Sequence, residues 1–409
     1  MTAQMVSNHP STLPYSDRFF DDPYPVYAWY RANRPVAPVQ FPNSRQPVWW
    51  VTRYRDVRAV LEDGRFSSNP LSANDATAAA QLPLADTSDV SAGAIAYSDQ
   101  PVHGHRRKRA VRVFTARRVE YLRAFIEATS ADLLDALASR TEADLIAHFA
   151  APLPIAVITG MLGVPESDQH NFRGWFDTLI STDPDDAARA PAAAAASTEY
   201  IQQLIAENRA HPGDDLISSF IGLPEDDAMS DVELLAMVIT LLFSGYETTL
   251  NLIGTGTLAL IEHPAQLELL RTDPSLVDQA VEEMLRYESP ATATLWRYPK
   301  EDVSFGGTVI PKGDPVLPML ASANRDPDAF PDPDALDIQR GNLQHVALGH
   351  GIHVCLGAAL ARLEARIAFP MLLSRLPDLR LAIPRDDVRF RHSMFARGVR
   401  ELPITYTAR

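Results

Sequence analysis

The 409-residue sequence holds a single cysteine, Cys355. One thiol excludes an intrachain disulfide framework, fits a reducing compartment and predicts a cytoplasmic protein. It also excludes a protein-held iron–sulfur cluster, which needs several thiolates. No glycine- or serine-rich linker divides the chain, no repeat period is present, and the prolines are spread throughout. The expected organisation is a loose leader over residues 1–20 and one large domain over 21–409. The leader carries Pro10, Pro14 and Asp17 without an apolar core, so it reads as neither a signal peptide nor a membrane anchor. A net charge of −15 would repel phosphates and excludes nucleic acid as a general partner. Hydrophobic residues at 46% and charged residues at 22% are those of an ordinary globular chain with a substantial core.

What is present gathers around the cysteine. Cys355 follows a loop containing Gly349 and Gly351 and precedes a segment in which Leu360, Leu363 and Ile367 recur at helical steps. A cysteine at a helix start meets unpaired backbone N–H groups and the positive end of the dipole, which lower a thiol's pKa. The glycines allow positive φ and close backbone approach, as expected of a loop that wraps a flat ligand. Three readings follow: a buried structural cysteine, a nucleophile with His350 or His353 as base, or a single axial thiolate on haem iron. Zinc is disfavoured, since one Cys with two nearby His gives no closed tetrahedral set.

Upstream, Pro23 to Arg31 reads as a short helix, Val48 to Thr52 as a strand and Asp56 to Leu61 as a helix. Residues 70–98 lack periodicity and predict a long mobile loop. His103 to Arg118 is the sharpest charge run, which alone reads as a solvated basic helix face. Pro191 to Asn208 is alanine-rich, but Tyr200, Ile201, Leu204 and Ile205 give it an apolar stripe and hence a helix. Leu234 to Ile261 is long enough to span a membrane, yet Glu247 sits at its midpoint, with Thr248, Thr249 and Asn251 following. A buried helix is expected there, with the Thr248 hydroxyl bonded to the Ser244 carbonyl. Glu283 and Arg286 are spaced as an ordinary exposed ion pair. Residues 295–313 predict a small antiparallel sheet.

The segment Leu348-Gly349-His350-Gly351-Ile352-His353-Val354-Cys355-Leu356-Gly357, followed by Ala361 and Glu364, resembles the haem-binding segment of the cytochromes P-450. Leucine stands at 348 where that family usually has phenylalanine. Ser244-Gly245-Tyr246-Glu247-Thr248 resembles the family's Ala-Gly-x-Asp/Glu-Thr, and Glu283-x-x-Arg286 its Glu-x-x-Arg, completed by Arg340 from a later meander. His103-x-x-x-Arg107 and Arg297 match propionate-binding positions, and the resemblance runs in order from about residue 20 to about residue 405.

The resemblance implies a mainly α fold with a minor β-rich region, haem sandwiched between the long helix and the Cys355 segment. It implies haem b with Cys355 as axial ligand and its propionates held by His103, Arg107, Arg297 and His353. Glu247 and Thr248 would relay protons, and Glu283, Arg286 and Arg340 would form a buried network. The substrate pocket implied by alignment includes Thr240, Phe243, Ser244, Ala293, Leu295, Met394 and Phe395. The implied activity is that of a monomeric haem-thiolate monooxygenase acting with dioxygen on a hydrophobic secondary metabolite such as a polyketide, terpenoid or steroid. Its electrons would come from NAD(P)H through an external ferredoxin reductase and ferredoxin, and the cations around Arg106, Lys108, Arg109 and Arg112 would form the acidic donor's dock. A haem-thiolate protein running peroxide-driven or isomerisation chemistry, and a haem-bound binding protein without turnover, are the alternatives.

Overall fold

The long apolar tract folds as one uninterrupted helix, Asp231–Glu262. It starts at a reciprocal cap: Ser230 Oγ accepts from the Glu233 N–H and the Glu233 carboxylate from the Ser230 N–H, both at 3.2 Å. It stops at His263, with Pro264 opening the next helix. Every residue from Thr249 to Leu260 is buried, and a helix apolar on all sides belongs inside a core. By length and composition it could cross a membrane, but 61% of its most apolar window lies inside the fold. Gly256 lets neighbours approach closely, since a Cβ there would lie 2.7 Å from the Phe369 ring and 2.9 Å from the Met284 sulfur.

The computed structural model describes residues 12–41, 46–80, 88–180, 184–341 and 343–408. The main core joins the long helix to the helices Pro152–Met161, Val277–Tyr287 and Ala358–Arg375. A smaller β region lies beside it. Strand Val36–Gln40 pairs antiparallel with Pro47–Val51, Val36 opposite Val51, and the latter runs parallel to Val316–Pro318. Trp50 fills that region at 0% exposure. The architecture is mainly α with small sheets, as expected.

Four local expectations need correction. The leader is packed from Tyr15 onward: the Trp50 indole N–H donates to the Tyr15 hydroxyl at 2.7 Å, and Phe19 is buried on the short helix Asp17–Asp21. The predicted long loop holds the short helices Asp75–Ala79 and Asp89–Gly93, capped by Asn74 and Ser88; residues 81–87 lie outside the described residues. Isolated caps carry no periodicity, so the pattern hid them. The alanine-rich helix begins earlier than Pro191, spanning Pro184–Ala210. The expected sheet over 295–313 is split: Val303–Phe305 pairs with Thr308–Ile310, whereas Tyr298–Pro299 pairs with Phe66–Ser67.

Candidate active site

A cavity of about 320 Å³ lies between the long helix and the Cys355 loop. The loop gets its shape from glycine: Gly349 and Gly351 have φ of +75° and +71°, a region costly for other residues. A Cβ on Gly351 would sit 2.4 Å from the Leu61 carbonyl oxygen, so only glycine fits. The Cys355 N–H then closes the turn onto the Leu348 carbonyl at 2.8 Å, and Cys355 faces the cavity two residues before the Gly357 cap of Ala358–Arg375.

The expected lowering of the thiol's pKa is not found. The thiol is open to the cavity, yet the protein walls around it withhold enough water to push Cys355 up, outweighing the Gly357 N–H and the cations Arg107 and Arg362. The helix-start argument omitted this desolvation. Both candidate bases are engaged away from the sulfur: His353 Nε2 meets Ser68 Oγ at 2.9 Å, and His350 Nε2 faces the Glu62 carboxylate. A Cys–His nucleophilic pair is not formed.

One rim of the cavity gathers His103, Arg107, Arg297 and His353. The rings of His103 and His353 lie 4.2 Å apart. His103 is 2% exposed, yet neither ring nitrogen has a partner. The buried guanidinium of Arg297 donates, among the described residues, only to the carbonyls of Leu295 and Trp296, and that of Arg107 to the Val354 carbonyl. Burial holds Arg297 down at about 10 and, with the cations Arg297 and Arg107 nearby, His353 at about 3. The nearest carboxylate, Asp99, is taken by Ser67, Ser68 and Lys300. A buried cluster of donors without anions is costly by itself. Two carboxylates entering from the cavity would satisfy the orphaned nitrogens and reverse that cost, so these residues fit haem with its propionates.

Across the cavity the long helix presents Thr240, Ser244 and Thr248. Thr248 Oγ1 donates to the Ser244 carbonyl at 2.6 Å, as the spacing predicted. Glu247 does not line the cavity. It points elsewhere on the helix, and burial raises its carboxyl's pKa against the pull of Arg391.

Of the remaining pocket residues, Ala293 and Leu295 line the cavity, whereas Phe243, Met394 and Phe395 do not. Phe243 packs on Phe176, 4.7 Å between centroids, and Phe395 edge-on to Trp296 at 5.3 Å; Met394 joins the β-side core. Missed residues include Met237, Leu241, Thr294, Ile95 and Glu364. Continuing the 240–244–248 stripe back one turn would have found Met237.

Glu283 and Arg286 are not an exposed pair. Both are 0% exposed and joined through two bonds of 2.7 Å, with Arg340 Nε reaching Glu283 at 3.2 Å. The basic helix Val102–Val113 also departs from expectation. Arg106 and Arg109 pair with Glu233 at 3.3 and 2.9 Å, and Lys108 and Arg112 pair with Asp227. Two carboxylates thus offset two of these four charges within the molecule, and Lys108 and Arg112 stay about half exposed.

A lone cysteine on the floor of an apolar cavity, an anion-seeking rim beside it and a hydroxyl-bearing helix opposite define a haem-thiolate protein. The cytochrome P450 family model matches residues 28–387, and the chain belongs to that family of cysteine-ligated haem enzymes. It is 45% identical to cytochrome P450 107B1 of Saccharopolyspora erythraea, over 97% of this chain and 98% of the relative. It is 44% identical to the P450 monooxygenase PikC of Streptomyces venezuelae, over 95% and 92%. The solved structure of the bacillaene polyketide synthase P450 PksS of Bacillus subtilis superposes with a TM-score of 0.89 at 35% identity, covering 97% of this chain and 100% of that one. The chain is accordingly a P450 monooxygenase, an oxidoreductase that inserts one atom of dioxygen.

Proposed function

We propose that this monooxygenase hydroxylates or epoxidises a hydrophobic secondary metabolite of the polyketide class, as one cytoplasmic, monomeric domain. The observation that carries the reading is the cavity itself: Cys355 at one face, Thr248 at the other, and walls of Ile95, Met237, Leu241 and Leu295 between. Apolar walls with a few hydroxyls suit a large, weakly polar ligand. PksS, named for polyketide biosynthesis, is among the relatives.

Haem b bound here would supply the thiolate-ligated iron at which dioxygen is activated, one atom entering the substrate and the other leaving as water. The chain's own residues then divide the work. Cys355 would hold the iron through its sulfur. His103, Arg107, Arg297 and His353 would hold the propionates through charge-assisted bonds. Thr248 has given its hydrogen to Ser244, so toward the cavity Oγ1 presents lone pairs and accepts a proton-bearing group there. Glu247, one residue earlier and about 100° around the helix, would supply protons from a carboxyl that burial keeps ready to hold one. Glu283, Arg286 and Arg340 would brace the Cys355 side. Electrons would come from an external ferredoxin and its NAD(P)H-dependent reductase.

The test is spectroscopic. Reduced protein with carbon monoxide should give the strongly red-shifted Soret band of thiolate ligation, and Cys355→His should abolish it. A panel of polyketides should include ligands that shift the Soret band of the oxidised protein. A histidine-type carbonyl spectrum in the unmodified protein would end the thiolate assignment. A panel in which only non-polyketides bind would end the substrate assignment.

A further inference from the structure

The long helix turns a row of hydroxyls toward the cavity. Thr240, Ser244 and Thr248 stand four residues apart, so they share one face and follow one another at about 6 Å. Each hydroxyl is already committed on its donor side. Thr240 Oγ1 donates to the Ala236 carbonyl at 2.7 Å, Ser244 Oγ to the Thr240 carbonyl, and Thr248 Oγ1 to the Ser244 carbonyl at 2.6 Å. A carbonyl only accepts, so each hydroxyl hydrogen points along the helix and the free lone pairs face the cavity. Thr294, from another element, repeats the arrangement by donating to the Leu295 carbonyl at 2.8 Å. Among the described residues the remaining hydroxyl lining the cavity is Thr249, turned about 100° from Thr248 and only 3% exposed.

The row is therefore a line of acceptors. Its middle member is a departure of this chain, because Ser244 stands where the family pattern has alanine. The guanidinium groups lining the cavity, Arg107 and Arg297, sit on the rim that fits the propionates and do not serve the row. Among the described residues the one carboxyl lining the cavity is Glu364, on the Cys355 helix, so an ammonium ion would find no counter-charge at the row. The complement of neutral acceptors is a neutral donor.

We infer that Ser244 and Thr240 select the substrate by its hydroxyl groups: the row takes a reduced, hydroxyl-bearing polyketide and rejects its keto counterpart. The hydroxyls would lie about 6 and 12 Å along the helix from the reacting position at Thr248. A ketone at either place sets lone pair against lone pair, and it is accommodated only if a side-chain hydroxyl gives up its backbone bond. The inference rests on the polyketide reading of this cavity and names the oxidation level of that polyketide.

The test compares a hydroxylated macrolactone with the same ring in which each hydroxyl is oxidised in turn to a ketone. Each is titrated into the haem-loaded protein and followed by the Soret shift. At least one ketone should bind about tenfold more weakly than the parent alcohol, as expected when one buried acceptor is left unpaired. Thr240→Val keeps the shape but removes the oxygen, and Ser244→Ala restores the family's residue; together they should erase that difference, whereas Thr240→Ser should keep its share. Ketones that all bind as tightly as the alcohol, or a preference that survives the double variant, overturn the row as a selector. If no macrolactone shifts the band while a steroid does, the polyketide reading falls instead, and the matched steroid alcohol and ketone decide the row by the same comparison.

Discussion

Glu283→Ala removes the acceptor at the centre of the buried ion network, and its cost follows from the geometry. The carboxylate accepts four bonds: Arg286 Nε and Nη2 at 2.7 Å each, the Asp337 N–H at 2.9 Å and Arg340 Nε at 3.2 Å. Without it, Arg286 keeps its charge at 0% exposure with only the carbonyls of Asn324, Pro333 and Ala335 as partners. Breaking a buried pair from one side costs about 3–5 kcal/mol, and four lost bonds place this case near the upper end. With an unfolding entropy of roughly 2.1 cal/mol/K per residue over 409 residues, about 4.5 kcal/mol lowers Tm by about 5 °C. Arg340→Ala should cost less, since Arg340 is at the surface edge of the network at 12% exposure and Glu283 keeps Arg286. The double change Glu283→Leu with Arg286→Leu should regain much of the loss, because the unpaired charge is gone. Circular dichroism melts of the haem-loaded proteins, followed in parallel by loss of the Soret band, measure all three. A Tm loss below about 1 °C for Glu283→Ala, or a double variant that melts below Glu283→Ala, would refute the reasoning.

Thr248→Ala should leave haem content intact but divert electrons to peroxide, seen as a lower ratio of product to NAD(P)H consumed. Gly351→Ala should lower both Tm and haem retention, by more than about 1 kcal/mol of stability, because of positive φ and the close Leu61 carbonyl; Gly349→Ala, whose Cβ would meet nothing nearer than 3.5 Å, should be milder. Burial pushes the Glu282 carboxyl up, but hydrogen bonds from Arg362 and His345 outweigh it and hold it at about 2, below its ordinary 4.5. Its stabilising contribution is therefore full above pH 4.5 and lost as pH falls through about 2; denaturant midpoints across that window should flatten in Glu282→Gln. Leu348 lines the cavity beside the thiolate loop, so Leu348→Phe should shift the haem reduction potential measurably; equal potentials in a redox titration would make the residue neutral.

What the sequence revealed was local. Cys355, its glycines and the Glu283–Arg286 spacing lie within one loop or helix turn, where a few residues decide the geometry. Thr240, Ser244 and Thr248 were legible because one helix stripe must face one way. Phe243, Met394 and Phe395 were misplaced because their direction depends on Phe176 and Trp296, supplied by distant elements. The pairing of the basic run was illegible for the same reason: the carboxylates that meet Arg109 and Lys108 lie 124 and 119 residues further on. The thiol's pKa was misjudged because a motif shows the nearby dipole but not the cavity walls whose desolvation opposes it.

The pairing of that basic run has a mechanical meaning. Glu233 caps the first turn of the long helix and grips Arg106 and Arg109 of the helix that bears His103 and Arg107. Asp227, just before that turn, takes Lys108 and Arg112 from the same helix. The rim that seeks carboxylates and the wall that bears Thr248 thus hang from one bracket, and the distance between them is fixed by four ionic rivets. A ligand too large for the cavity gains little room by prying these two helices apart.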